Sequence, residues 1–234
     1  MSERFHLATP PRDGTASLEG DEARHLVRVL RAKVGDSVTL FDGRGQAWEA
    51  SVASIGRERV SLALGPPRPA AAPPAVPVTI AVALPKGDRQ KWMVEKLTEL
   101  GVSVLVPLVT SRGVAEATDS ARSRLERGVI EACKQCGRDT LMAIGAAETI
   151  GTLLAGLPAG TRAVIADPGG VPLEAALPTG HDATTAVVVL VGPEGGFTPE
   201  EVATAEAAGC VRVSLGHHIL RIETAAIAAA ARLV

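Results

Sequence analysis

The sequence predicts an α/β protein in which a parallel-sheet domain follows a small β-barrel. Three observations carry this. From Val78 onward, short apolar β-type runs alternate with helical stretches, and such alternation lays strands side by side under helices on both faces. The residues before position 65 show short strands separated by turn signals, the pattern of a small barrel. Between them, residues 65–77 are rich in Pro and Ala, a composition that extends into a semi-rigid spacer rather than a helix or a ladder. The expected domains are therefore 1–68 and 78–234, joined by a linker at 69–77.

In the first domain, residues 21–31 read as a short amphipathic helix. Ala23, Leu26, Val27 and Leu30 share one face, and Arg24, Arg28 and Arg31 the other. Gly35-Asp36 makes a turn, 37–41 a strand, and Asp42-Gly43-Arg44-Gly45 a hairpin-type turn. Residues 46–55 and 59–64 give two further strands. Arg4, Arg12, Arg24, Arg28, Arg31, Lys33 and Arg44 make this segment locally basic, as phosphate contacts require. The plainer alternative is a solvated helix face.

In the second domain, 78–84 reads as a buried strand ending in the loop Pro85-Lys86-Gly87-Asp88-Arg89. Residues 90–100 are helical, with Trp92, Met93, Leu97 and Leu100 as apolar positions and Gly101 as the cap. A strand at 102–109, a helix at 121–137, a short strand at 141–144 and a helix at 149–157 follow. Then come a strand at 162–166 ending at Asp167-Pro168-Gly169-Gly170, a helical piece at 172–177 and the apolar run 186–191. A helical stretch, a strand at 210–215 and an apolar helix to Val234 close the chain. The GxGxxG fingerprint and the Walker A pattern are both absent, so a parallel sheet is as far as periodicity reaches.

Composition narrows the function. Hydrophobic content of 46% is ample for a core, but aromatic content is 2% and Tyr is absent, so Ala, Val, Leu and Gly must pack it. A formal net charge of −2 announces no nucleic-acid partner, so any basic footprint must be local. Cys133 and Cys136 form a CxxC without a second Cys pair or His cluster, and reduced thiols are the better reading. No metal is expected. The N-terminus lacks the apolar core of a signal peptide and no run is long enough to span a bilayer, so a cytoplasmic protein with no membrane partner is expected.

Two glycine-bearing loops each follow a short strand and precede a helix: Gly192-Pro193-Glu194-Gly195-Gly196-Phe197 and Leu215-Gly216-His217-His218-Ile219-Leu220-Arg221-Ile222-Glu223-Thr224. In open α/β sheets, ligands sit where such loops gather, at the carboxyl ends of strands. These two loops, in this order and with this tail, resemble the signatures of the RsmE family, bacterial 16S rRNA uridine-N3 methyltransferases of the SPOUT class, which use S-adenosylmethionine (SAM). Lys86-Gly87, the run 95–102, Glu131-Ala132 and Gln135-Cys136-Gly137-Arg138 also look like family positions. In the first domain, so do His25-Leu26, Val29-Leu30-Arg31, Gly35-Asp36 and Phe41-Asp42-Gly43.

The resemblance implies a trefoil-knotted sheet domain behind a PUA-like RNA-binding barrel, acting as a homodimer on the RNA of the small ribosomal subunit. It implies a SAM pocket walled by Ala166, Asp167, Leu190, Gly192, Glu194, Gly195, Gly196, Leu215, Gly216, Ile219, Leu220 and Thr224. Thr224 could instead be an N-cap. A side chain in place of Gly192 is expected to fill the cleft.

Methylation at uridine N3 needs a cation beside O2 and O4 and a group to take the proton. Arg221 is the expected cation, or else pairs with Glu223 or binds phosphate; Glu194 is the expected base or partner of the sulfonium, or else caps the following helix. RNA contacts fall to Arg4, His25, Arg28, Arg31, Lys86, Arg89, Arg112 and Arg138, the last two reaching a partner's site. His218 departs from the family's usual Arg and could make that role pH-dependent. A ribose 2′-O-methyltransferase and a non-catalytic ribosome-assembly factor are the competing readings.

Overall fold

A computed structural model describes residues 3–69, 76–114, 118–177 and 185–234. The chain forms two compact units. The first takes in residues up to Pro73 together with Ile130–Leu141; the second comprises Pro74–Val129 and Met142–Val234. Most of the expected linker, residues 70–75, lies outside the described residues.

The first unit is a curled five-stranded sheet: β1 (Arg4–His6), β2 (Thr15–Glu19), β3 (Ser37–Phe41), β4 (Ala47–Ile55) and β5 (Arg59–Pro67), in the order β1-β3-β4-β5-β2. β1 joins β3 in parallel and the other pairings are antiparallel. Two register shifts in the β4–β5 pair bend the sheet, as bulges do. Phe5, Leu18, Leu26, Leu40 and Leu62 fill its concave side.

The structure adds β1 and β2 to the three strands the sequence predicts. β2 alternates cleanly, with Ala16 and Leu18 inward, but two apolar residues in five are too weak a signal to announce it. β5 also runs on to Pro67, which pairs with Trp48 where the expected spacer begins; Pro is tolerated there, at the end of a strand.

The predicted helix at 21–31 is broken. α1 (Gly20–Arg24) gives way to a π-helical turn over His25–Val29, where the amide of Leu30 donates to the carbonyl of His25 at 3.1 Å. The expected faces survive: Ala23 and Leu26 are buried while Arg24, Arg28 and Arg31 stay exposed. The wider turn leaves Val29 65% exposed.

The second unit is a six-stranded, all-parallel sheet: β6 (Val78–Val82), β7 (Val104–Pro107), β8 (Ala143–Ile144), β9 (Arg162–Pro172), β10 (Val187–Val191) and β11 (Val211–Ser214). The order is β11-β9-β10-β6-β7-β8. The chain runs outward from β6 through β7 and β8 and crosses back to β9. β10 then fills the gap between β9 and β6. Loops from both directions thus meet at the carboxyl ends of β9 and β10, where such sheets bind ligands.

The helices are α2 (Asp88–Leu100), α3 (Asp119–Cys136), α4 (Ile150–Ala155), α5 (Leu173–Ala176), α6 (Pro199–Ala207) and α7 (Ile222–Ala230). α3 is the element whose C-terminal part groups with the first unit. All five residues of β10 are buried, as a central parallel strand requires. On one face Ile150, Leu153 and Ala205 from α4 and α6 pack on Ile165, Val188 and Leu190.

On the other face α7 packs against α2, β6 and β10. Its buried Ala225, Ala226, Ala229 and Ala230 carry little bulk, so its backbone comes close to the strands. Gly101 ends α2 in the left-handed region at φ 97°, as predicted. Trp92, predicted as an apolar position of α2, is 46% exposed, while Met93, Val94 and Leu97 are buried.

Candidate active site

β9 does not end at Ala166 as the sequence suggests. It continues through Asp167-Pro168-Gly169-Gly170 to Pro172, with a register shift against β11 at Arg212/Val213. Gly170 permits this. A Cβ there would lie 2.4 Å from the Val213 nitrogen and 2.5 Å from the Arg212 carbonyl carbon. The bulge presents Asp167, whose Oδ1 accepts from Arg212 Nη2 at 2.8 Å and from the Gly169 amide at 2.8 Å. Burial would push this carboxyl up. The Arg212 hydrogen bond, the Gly169 amide and the Arg212 charge together outweigh it and hold the group below its ordinary range.

The loop after β10 is held from both sides. At its far end Thr198 and Glu201 close a reciprocal capping box on α6, with Pro199 in the first turn. Glu201 also accepts from the Ser111 amide at 2.7 Å. Arg112 Nη1 donates to the Gly195 carbonyl at 2.6 Å, so this arginine is a clamp on the loop within its own chain. Glu194 is exposed and meets Arg89 Nη1 at 3.3 Å.

The loop after β11 begins with Ser214, whose hydroxyl donates to the Gly216 carbonyl at 3.0 Å. Gly216 sits at φ 148° with open space beyond its Cα, and Gly196 at φ 69° likewise. Such backbone favours glycine. Arg221 is the N-cap of α7 by backbone position, and its exposed side chain enters no ion pair among the described residues.

The two loops and the end of β9 enclose one cleft. Of the residues predicted from the sequence, Ala166, Asp167, Gly192, Glu194, Gly196, Leu215, Gly216, Ile219 and Leu220 line it. Leu190, Gly195 and Thr224 do not. Leu190 points to the opposite face, into the core under α4 and α6, and its neighbour Val191 lines the cleft instead. The Gly195 carbonyl is taken by Arg112. Thr224 lies inside the first turn of α7 rather than at its cap, and is exposed.

At Gly192 a side chain is confined by a wall of the cleft itself. A Cβ there would meet the Phe197 ring at 3.0 Å and press on the cleft wall. Phe197, not among the residues expected from the sequence, lines the cleft and packs half-buried against the core under α4 and α6. His218 lines the cleft and Arg221 is not among its walls.

The proposed RNA contacts divide. His25, Arg28 and Arg31 are exposed; Arg28 lines an open concavity on the first unit with Arg24, Arg57 and Arg59 and the acidic Glu19 and Glu58, whereas His25 and Arg31 lie outside it. Arg4 is not available there. It pairs with Asp139 at 2.5 Å, lies 5.0 Å over the Phe41 ring, and its side chain is 13% exposed. Lys86 is exposed, Arg89 half-buried and engaged, Arg112 engaged in its clamp, and Arg138 half-buried.

The cleft fits the cofactor implied by the loop resemblance. Phe197, Leu215, Ile219 and Leu220 offer apolar surface to a flat ring, Asp167 and Glu194 offer acceptors, and the glycines admit backbone to close approach.

Comparisons with known proteins agree with this arrangement. Residues 72–234 match the model of an RNA methyltransferase domain, and residues 18–64 that of an RNA methyltransferase PUA domain. The chain is similar to the ribosomal RNA small subunit methyltransferase E of Synechocystis sp., at 31% identity over 98% of this chain and 77% of the relative. It is similar to the protein of that name from Bacillus subtilis, at 28% over 90% and 86%. Among solved structures it resembles a ribosomal RNA small subunit methyltransferase E from Neisseria gonorrhoeae bound to SAM. There the TM-score is 0.89 at 30% identity, covering 100% of this chain and 97% of that one.

Proposed function

The chain belongs to the family of RNA methyltransferases represented by ribosomal RNA small subunit methyltransferase E, and from that premise we propose that it methylates N3 of a uridine in 16S rRNA with SAM as donor. The observation that carries the reading is the shared cleft. Gly192 and Gly216, on loops far apart in sequence, line the same cavity together with Asp167.

When bound, SAM supplies the electrophilic methyl group. The chain's own residues do the rest. Leu215 and Leu220, half-buried in its walls, give the cleft apolar surface, and Asp167, fixed by Arg212, is held ionised as an acceptor. Arg221, exposed next to the cleft loop, is the cation for the charge that spreads over O2 and O4 as the N3 proton leaves. Glu194, on the cleft rim, is the candidate to receive that proton. The N-terminal unit supplies RNA affinity through Arg24, Arg28 and Arg31.

The boundary between domains is taken at 69–77. The trefoil threading of α7 is part of the same proposal, and its close alanine packing on β6 and β10 supports it. So is a homodimer: Ile219, 86% exposed beside the cleft, is apolar surface that a second copy would cover. No helix among the described residues is long and apolar enough to cross a membrane; a cytoplasmic location belongs to the same proposal, supported by the ribosomal RNA named for the relatives.

The test is methyl transfer to small-subunit RNA from a strain lacking the modification, with mass mapping of the product. Wild type should restore the N3 mark, whereas a ribose mark would favour the 2′-O reading and failure to bind SAM the assembly-factor reading. Arg221→Ala should lower kcat about 100-fold with SAM affinity nearly unchanged, the usual cost of removing one transition-state partner. Full activity in Arg221→Ala would remove this residue from the mechanism.

A further inference from the structure

Glu223 is a charged side chain in the wrong kind of place. It lies in the first turn of α7, only 5% exposed, and its Oε2 has no hydrogen-bond partner among the described residues. The one cation that pairs with it among the described residues is Arg89, whose Nη1 lies 3.9 Å from that oxygen. The same nitrogen lies 3.3 Å from Glu194 Oε1.

One guanidinium therefore sits between a buried carboxylate on α7 and an exposed one on the loop after β10. The exposed contact alone contributes little, because solvent screens it. The buried one matters more, since a carboxylate in the interior without a counter-charge is strongly unfavourable. Arg89 is thereby fixed by Glu223 and in turn restrains Glu194. Ile222 directly precedes Glu223 and Ala225 stands two residues after it, and both line the cleft. The start of α7 and the loop after β10 form two of its walls.

We propose that Arg89 and Glu223 are positioning residues for the SAM cleft, tying its α7 wall to its Gly192–Phe197 wall, rather than Arg89 being a contact for RNA. The proposal rests on the cofactor assigned above.

Calorimetric titration of SAM into wild type, Arg89→Gln, Glu223→Gln and the double variant tests it. The amide substitutions keep the side-chain shapes and remove the charges. Each single variant should bind SAM about tenfold more weakly, and the double variant about tenfold rather than a hundredfold, because the two residues act as one unit. Arg89→Lys should recover part of the loss.

Hydrogen exchange without SAM supplies the second readout: amides of residues 192–197 should exchange faster in Arg89→Gln than in wild type. If Glu223→Gln does not fold, Arg89→Gln decides the matter through the same two measurements. Wild-type SAM affinity and unchanged loop exchange in Arg89→Gln would overturn the proposal, as would losses that multiply in the double variant. A wild-type protein that binds no SAM overturns the cofactor reading itself, and this proposal with it, which is a different failure.

Discussion

Cys133 and Cys136 share a CxxC spacing on α3 but not an environment. Cys133 is buried, its Sγ 3.7 Å from the Thr140 carbonyl, and burial pushes its thiol up to about 12. Cys210 is buried too, pushed up to about 11 by the same desolvation, while Cys136 is exposed. Only a thiolate attacks a disulfide reagent, so a group titrating near 12 is unreactive at pH 8. Labelling with an aromatic disulfide at pH 8 should show one fast thiol, lost in Cys136→Ser, with the other two reacting only on unfolding. Two fast thiols in the folded protein would revive a redox role for the pair. The residue scale thus separates a pattern in the sequence from a chemistry in the fold.

At the scale of elements, the β9–β11 pair decides whether the cleft exists. Asp167 stands on one strand and Leu215 follows the other, and Gly170 is where their backbones approach too closely for a side chain. Gly170→Ala would place a methyl group 2.4 Å from a backbone nitrogen, so that one of the two strands must shift. Overpacking of this kind costs about 3 kcal/mol. The thermal midpoint should fall and SAM affinity should fall with it, since two walls shift together; an unchanged midpoint would show that the strands part freely.

The same elements show what was readable in advance. The two glycine loops were legible because positive φ and close approach leave glycine as a mark in the sequence, as at Gly196 and Gly216. The choice between Leu190 and Val191 was not. In a run that is buried throughout, no polar alternation reveals which residue faces which side. The break of the 21–31 helix into a π turn left no local sign, and the strand β1 is three residues long. Arg89, grouped by sequence with the RNA contacts, has its nearest partner 105 residues further on, a pairing that only the fold supplies.

For the molecule as a whole, the net charge of −2 means that RNA affinity cannot come from a general field. It must come from a local cluster, and on the first unit Arg24, Arg28, Arg31, Lys33 and Arg57 are all exposed. Arg24 is partly spent on its ion pair with Asp21, and Arg59 on Glu19. Some four cations therefore remain for phosphates, and binding to single-stranded RNA should weaken with salt at a log–log slope of about −3.

Replacing Arg24, Arg28 and Arg31 by Ala removes about two of these contacts and should flatten that slope by about 1.4, because each neutralised phosphate contact contributes roughly 0.7. SAM affinity should not change, since none of the three lines the cleft. Anisotropy titrations of a labelled small-subunit RNA fragment between 50 and 300 mM salt, roughly the range over which such slopes are read, measure the difference. A slope left intact in the triple variant would move the RNA-holding face away from this turn and leave the exposed arginines as a solvated surface.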